Sequence, residues 1–233
     1  MLLIDAGNTR AEWRYIAGDN KVEGNSYYQD FKLACPQEPQ RVIVAAVSAQ
    51  SKLERLLPAS YLKKTTWLTQ PQVEYPNFKH CYVRPERLGV DRWLAMLGAR
   101  SHYALGVLVV DAGTALTVDV LTAENHHLGG YIVPGLTMAQ QALFAGTDKI
   151  KPYIDEHPHS DIQLGMDTLS CVHFGLERQR LSFVQSVQQQ FADYELLVTG
   201  GDGINLAKQL QATYYNNLVL DGMESLCAGY LLP

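Results

Sequence analysis

Three short stretches of this chain gather residue types suited to moving a phosphoryl group. Leu2-Leu3-Ile4-Asp5-Ala6-Gly7-Asn8-Thr9-Arg10 and Leu108-Val109-Val110-Asp111-Ala112-Gly113-Thr114-Ala115-Leu116-Thr117 are near copies of one pattern: an apolar run ends in Asp, turns through Gly and leaves on a second run. Glycine lets backbone N–H groups approach an anion, and Asn8, Thr9 and Thr114 add side-chain groups at the same turns. A lone carboxylate would repel phosphate, so Asp5 makes chemical sense beside a cation such as Mg²⁺. One such turn is an ordinary hairpin. Two copies after matching strands point to a clamp on a polyphosphate, with Asp119 following on the second.

Between the copies lies Arg87-Leu88-Gly89-Val90-Asp91-Arg92-Trp93. Asp91 admits two readings. It is a helix-start carboxylate complementing the macrodipole, or a general base that orients an acceptor hydroxyl and takes its proton. Arg92 is either half of a solvated ion pair or a bidentate grip on a carboxylate or phosphate.

The elements that must position these groups follow from periodicity. Residues 1–6 read as a buried strand and Glu12 to Ile16 as its half-buried successor, closed by Gly18-Asp19-Asn20. A glycine turn followed by a strand is neither a dinucleotide-binding fingerprint nor a P-loop, both of which open a helix. Residues 41–47 form a second apolar run, Ser51 to Glu54 carry capping-box spacing, and 64–68 suggest a strand. The proline-rich stretch 70–86 reads as a surface loop. Val90 to Tyr103 is spaced as a helix with Asp91 and Arg92 in its first turn. A meander over 106–135, a helix over 136–144, an exposed loop over 146–163 and a long helix over 166–194 follow, with Gly175 as a close-packing point. A strand at 195–199 enters Gly200-Gly201, a flat surface suited to an adenine ring. A short helix, a strand near 218–220 and a helix capped by Asp221 close the chain. Strands first and helices after, twice over, predict an α/β protein of two related halves, with a boundary near residues 104 to 106.

Composition narrows the function. With 47% hydrophobic residues over 233 positions the chain can bury a sizeable core. Lys plus Arg number 19 against 24 Asp plus Glu, a net charge of -5, which argues against a nucleic-acid binder that neutralises phosphates along a basic face and leaves room for a local basic pocket. Cys35, Cys81, Cys171 and Cys227 form no C-x-x-C pair, and no apolar run is long enough to span a bilayer; together these place the expected compartment in the cytoplasm, away from the membrane. His157 and His159, with Asp155, Glu156 and Asp161, imitate a metal cluster but read as loop charge, and His126-His127 reads as a turn.

These motifs together resemble the type III pantothenate kinases of bacteria, members of the acetate and sugar kinase, Hsp70 and actin superfamily. Asp5 to Thr9 is similar to the family's first phosphate motif, Gly89-Val90-Asp91-Arg92 to its G-x-D-R, Asp111 to Asp119 to its second phosphate motif, and Gly129-Gly130-Tyr131-Ile132-Val133-Pro134-Gly135 to its G-G-x-I-x-P-G. The resemblance implies two ribonuclease H-like halves (an actin-like ATPase fold) with an ATP cleft between them. The halves would be residues 1–104 and 105–233, the last helix packing back on the first half. It implies ATP-dependent phosphorylation of pantothenate to 4'-phosphopantothenate, the first step of coenzyme A synthesis. Asp91 would be the general base; Tyr82, Gly89, Val90, Asp91, Arg92 and Thr168 would bind pantothenate, Thr168 from the neighbouring subunit of a homodimer. Asp5, Ala6, Gly7, Asn8, Thr9, Arg10, Gly113 and Thr114 would hold ATP, Asp5 would serve Mg²⁺, and Asp111 would hold a monovalent cation, K⁺ or NH₄⁺. The alternatives are a kinase for another small hydroxylated acceptor and a non-catalytic regulatory or accessory relative.

Overall fold

The computed structural model describes residues 1–47, 49–72, 77–156 and 164–229. In chain order the elements are β1 (Leu2–Ala6), β2 (Arg10–Ala17), β3 (Asn20–Tyr27), β4 (Val42–Ala46), α1 (Gln50–Leu56), α2 (Ala59–Leu62), β5 (Thr65–Leu68), α3 (Val90–His102), β6 (Val107–Ala112), β7 (Ala115–Leu121), β8 (His127–Pro134), α4 (Leu136–Ala145), α5 (Thr168–Gln190), β9 (Glu195–Thr199), α6 (Gly203–Leu210), β10 (Thr213–Tyr214) and α7 (Leu218–Gly229). Of the described residues, those within 1–104, 121–129 and 217–229 form one compact unit, and those within 105–120 and 130–216 another.

The two five-stranded sheets have one topology. The first runs β3-β2-β1-β4-β5 and the second, read from the same end, β8-β7-β6-β9-β10. In the first, β1 and β2 and then β2 and β3 pair antiparallel, while β1–β4 and β4–β5 are parallel. In the second, β6–β9 and β9–β10 are parallel. The apolar runs Leu2 to Ile4, Val42 to Ala46 and Val107 to Val110 are buried along their whole length, as central strands covered on both faces must be.

Each unit has its own core. Leu2, Ile4, Trp13, Val42, Val44 and Leu53 centre the first, and Leu108, Val110, Val118, Val184, Leu196 and Leu206 the second. In the first unit α3 and α7 touch backbone to backbone. A Cβ at Gly98 would overlap the Leu218 carbonyl, and one at Gly222 the Leu94 carbonyl. The two glycines thus permit a crossing tighter than side chains allow, and this fixes the helix that begins at Asp91. An ion network around the buried Arg14 ties α7 to the sheet: Arg14 donates to Glu23 at 2.5 Å, Asp221 at 2.7 Å and Glu224 at 2.8 Å.

Several local expectations need correction. Residues 218–220 are helical, because the Asn217 side chain accepts the Leu220 N–H at 2.8 Å and caps α7, burying Leu218, Met223 and Leu226 on one face. The spacing at Ser51 to Glu54 makes no capping box: α1 starts at Gln50 without a side-chain cap. The strand β3, absent from the sequence reading, is mostly exposed and lacks a clear alternating signal. The long helix is shorter than expected, since Asp167 and Ser170 cap each other reciprocally and start it at Thr168. Among the described residues nothing lies within 4 Å of where a Cβ on Gly175 would stand, so the close packing expected there is not seen. His157, His159 and Asp161 lie outside the described residues; among the described residues no group of three His, Cys, Asp or Glu is placed to hold a metal.

Candidate functional site

The first glycine turn joins β1 to β2 and exposes Gly7, Asn8 and Thr9, with Asp5 half-buried at its base. The antiparallel register sets Asp5 opposite Glu12, two like charges side by side. Donors offset the second of them: Arg10 Nη2 lies 2.6 Å from Glu12 Oε1, and the Asn217 amide donates to Glu12 Oε2. Side chains support the turn from below. The Tyr28 hydroxyl donates to the Gly7 carbonyl at 2.7 Å. Lys52 Nζ donates to the Asn8 carbonyl at 3.4 Å and stands 5.4 Å above the Tyr28 ring. Burial first, and the charge of Asp5 second, push the Tyr28 phenol up to about 12.

The second turn joins β6 to β7 and is closed by the Gly113 N–H donating to Ala115 O at 3.0 Å. Thr114 is exposed and Asp111 half-buried. Backbone supports this turn. The Gly135 N–H donates to Thr114 O at 3.0 Å, and a Cβ at position 135 would overlap the Gly113 and Thr114 carbonyls. Gly200 has φ +89°, and a Cβ there would overlap Asp111 Oδ1 and Ala112 O. The Asp202 N–H donates to Ala112 O at 2.9 Å, and the Tyr214 hydroxyl to Gly200 O at 3.2 Å. The glycine pair expected to face an adenine ring therefore puts Gly200 beside the Asp111 carboxylate.

Asp91 sits in the first turn of α3, where Oδ1 accepts the Arg92 N–H at 2.8 Å. Gly89 makes room for that oxygen, which any side chain at 89 would displace. Arg92 is 8% exposed and its Nη1 donates to the Tyr82 hydroxyl at 2.9 Å. Burial of the guanidinium excludes the solvated surface pair that the sequence left open. Tyr82 in turn stacks on His127, ring centroids 6.1 Å apart at 24°, and His127 Nδ1 lies 3.4 Å from Cys81 Sγ.

The first unit thus brings Tyr82, Gly89, Val90, Asp91 and Arg92 together and also carries residues 5–10, while the second carries Asp111, Gly113, Thr114 and Thr168. Thr168 opens α5, where its N–H and that of Leu169 donate to the Glu156 carboxylate at 3.2 and 2.9 Å. Lys52, Tyr28 and His127 escaped the sequence reading. His127 is 2% exposed and starts β8, where a turn was expected. No local pattern marks it, because its burial comes from a loop 46 residues earlier in the chain.

The described carboxylates suit a nucleotide-bound cation better than a protein cage. Asp5 and Asp111 are hard oxygen donors at phosphate-type turns, and Mg²⁺ in kinases takes few protein carboxylates and completes its shell with phosphate and water.

The chain has relatives among known proteins. The profile of the family described as type III pantothenate kinase matches residues 1–190. A type III pantothenate kinase of Alcanivorax borkumensis is 34% identical, covering 98% of this chain and 98% of its own. One of Marinobacter nauticus is 32% identical over the whole of both. Among solved structures, a Baf family protein of Campylobacter jejuni described as a transcriptional activator aligns over all of both chains at 23% identity with a TM-score of 0.63. A Sinorhizobium meliloti protein assigned as a 2-dehydro-3-deoxygalactonokinase aligns over 99% of each at 11% identity with a TM-score of 0.55. The two structures share this chain's fold, a doubled α/β architecture. Matched over residues 1–190 by the family profile and nearly end to end by relatives above 30% identity, the chain belongs to the type III pantothenate kinase family.

Proposed function

We propose that this phosphotransferase moves the γ-phosphoryl group of ATP to the primary hydroxyl of pantothenate, giving 4'-phosphopantothenate for coenzyme A synthesis. The observation that carries the reading is the cluster at the start of α3: Asp91 in the first turn, with the buried Arg92 bonded to Tyr82. Asp91 takes the acceptor's hydroxyl proton, and its place at a helix N-terminus favours the ionised form that a base needs at neutral pH. Arg92 and Tyr82 grip the pantothenate carboxylate, fixing the hydroxyl relative to the base. The exposed turn at Gly7 to Thr9, with Asp5, Ala6 and Arg10, and the turn at Gly113 and Thr114 present N–H and hydroxyl donors to ATP phosphates. Asp5 would hold Mg²⁺ and Asp111 a monovalent cation, K⁺ or NH₄⁺; bound there, these cations neutralise charge on the phosphoryl oxygens.

We also propose that the enzyme works as a homodimer in the cytoplasm, with Thr168 reaching the acceptor of a second copy. Four free cysteines and the lack, among the described residues, of a helix long and apolar enough to cross a membrane support the compartment.

Coupled measurement of ADP release, with pantothenate, Mg²⁺ and K⁺ varied in turn, tests the activity. Asp91→Asn lowers kcat by about 10²- to 10⁴-fold with the KM for ATP little changed. Near wild-type turnover in that variant would remove Asp91 from the mechanism. ATP binding without pantothenate-dependent ADP release would instead favour an accessory role. Mixing Asp91 and Thr168 variants tests the dimer, because activity returns only if the site is shared.

A further inference from the structure

Residues 121–129, the tip of the β7–β8 hairpin, belong to the first unit and are anchored there from two directions. From α3, Arg100 donates through Nε to Asn125 Oδ1 at 2.7 Å and through Nη2 to Thr122 O at 2.5 Å. From the preceding loop, the Lys79 N–H donates to Asn125 O at 3.0 Å, and the His127 N–H donates to Lys79 O at 2.9 Å. Beside this bridge Phe78 packs edge-on against Trp93 of α3, centroids 6.5 Å apart. The hairpin tip is thus a shelf bonded to the helix that carries Asp91 and Arg92.

Tyr82 rests on that shelf. Residues 81–84 lie in neither helix nor strand, so no regular backbone ladder aims the Tyr82 ring. Side chains aim it instead: Arg92 Nη1 at the hydroxyl, the His127 ring on its face, and Cys81 Sγ against His127 Nδ1. His127 is almost wholly inaccessible, while Tyr82 is half-buried in a stretch whose other residues, 81, 83 and 84, are exposed. The imidazole is therefore the fixed partner of the stack and the tyrosine the member that needs fixing.

We infer that His127 is a positioning residue of the acceptor site: its buried ring holds Tyr82 so that the tyrosine hydroxyl aligns Arg92 toward the acceptor's carboxylate. The inference rests on the proposed roles of Tyr82 and Arg92. It assigns the β7–β8 hairpin tip a part in acceptor recognition that neither glycine turn supplies. A histidine that only filled the core would alter stability and both substrates' KM values alike.

The test compares wild type, His127→Leu, His127→Phe, Tyr82→Ala and the Tyr82→Ala/His127→Leu double variant, recording kcat, both KM values and thermal melting. Leucine keeps apolar volume and removes the flat ring, so the KM for pantothenate rises about 10-fold while that for ATP stays within about twofold. Phenylalanine restores the stack and returns the KM for pantothenate to within about threefold of wild type. The double variant loses no more than Tyr82→Ala alone, because both changes break one chain of contacts. Should the leucine variant not fold, His127→Asn is read in the same way. Unchanged pantothenate KM, equal rises for both substrates, no recovery with phenylalanine, or additive losses would overturn the inference and leave the kinase reading intact. A wild-type enzyme that does not phosphorylate pantothenate would remove both.

Discussion

The two glycine turns start from one sequence pattern and one sheet topology, yet each is held in place by different material. The turn after β1 rests on side chains: a tyrosine hydroxyl under Gly7 and a lysine beside Asn8. The turn after β6 rests chiefly on backbone, wedged by Gly135 and Gly200 where no Cβ fits, with the Tyr214 hydroxyl on Gly200 as a side-chain support. Side-chain supports can shift rotamer and titrate, whereas glycine wedges can only hold or clash. The duplicated fold therefore has one turn held chiefly by side chains and one held chiefly by backbone, and the proposed acceptor cluster at Asp91 belongs to the unit with the first.

The contrast is open to attack at its stiffest point. Gly200→Ala forces a Cβ at φ +89° into Asp111 and Ala112 and should cost about 2–4 kcal/mol in chemical denaturation. An alanine variant as stable as wild type would show that the second turn can yield, and the contrast would collapse.

Replacing a support of the first turn should cost less. Tyr28→Phe removes one solvent-exposed hydrogen bond and should cost about 0.5–1 kcal/mol at neutral pH. The same residue sets a pH dependence. Its phenol is raised from an ordinary 10.0 to about 12 in the folded protein, so the folded state favours the protonated form. That contribution is complete below pH 10.0 and is lost as pH rises through about 12. Ultraviolet titration of wild type against Tyr28→Phe isolates this group. In Asp5→Asn its midpoint falls but stays above 10.0, because burial, the larger cause, remains. A midpoint unmoved by Asp5→Asn would break the proposed coupling between carboxylate and support.

Smallest of all is the change expected at Lys52, an exposed ammonium with one long hydrogen bond to the turn. Lys52→Ala should raise the KM for ATP about threefold and leave that for pantothenate alone. A shift in the pantothenate value would mean that Lys52 serves the other substrate.

Periodicity and turn chemistry in the sequence suffice for the doubled α/β fold, since buried runs such as Val42 to Ala46 and glycine turns at Gly7 and Gly113 are local signals. They failed where a decision was not local. Residues 218–220 carry a strand-like apolar run, yet the Asn217 cap and the close crossing of Gly98 on Gly222 make them helical. His126-His127 has turn composition, yet Lys79, far away in the chain, draws His127 into a bridge and buries it.

The sequence by itself determined the chemical vocabulary of this protein: two Asp-Ala-Gly turns of a kind suited to phosphate, an Asp-Arg pair of a kind suited to an acceptor, and strands and helices to carry them. These are properties of residue type and spacing, which a chain has before it folds. Tertiary structure alone decided what supports each group. Tyr28 and Lys52 reach the first turn, Gly200 reaches Asp111, and His127 reaches Tyr82 across separations of 21 to 89 residues. Such contacts depend on sheet order and helix crossing, and no local pattern encodes those.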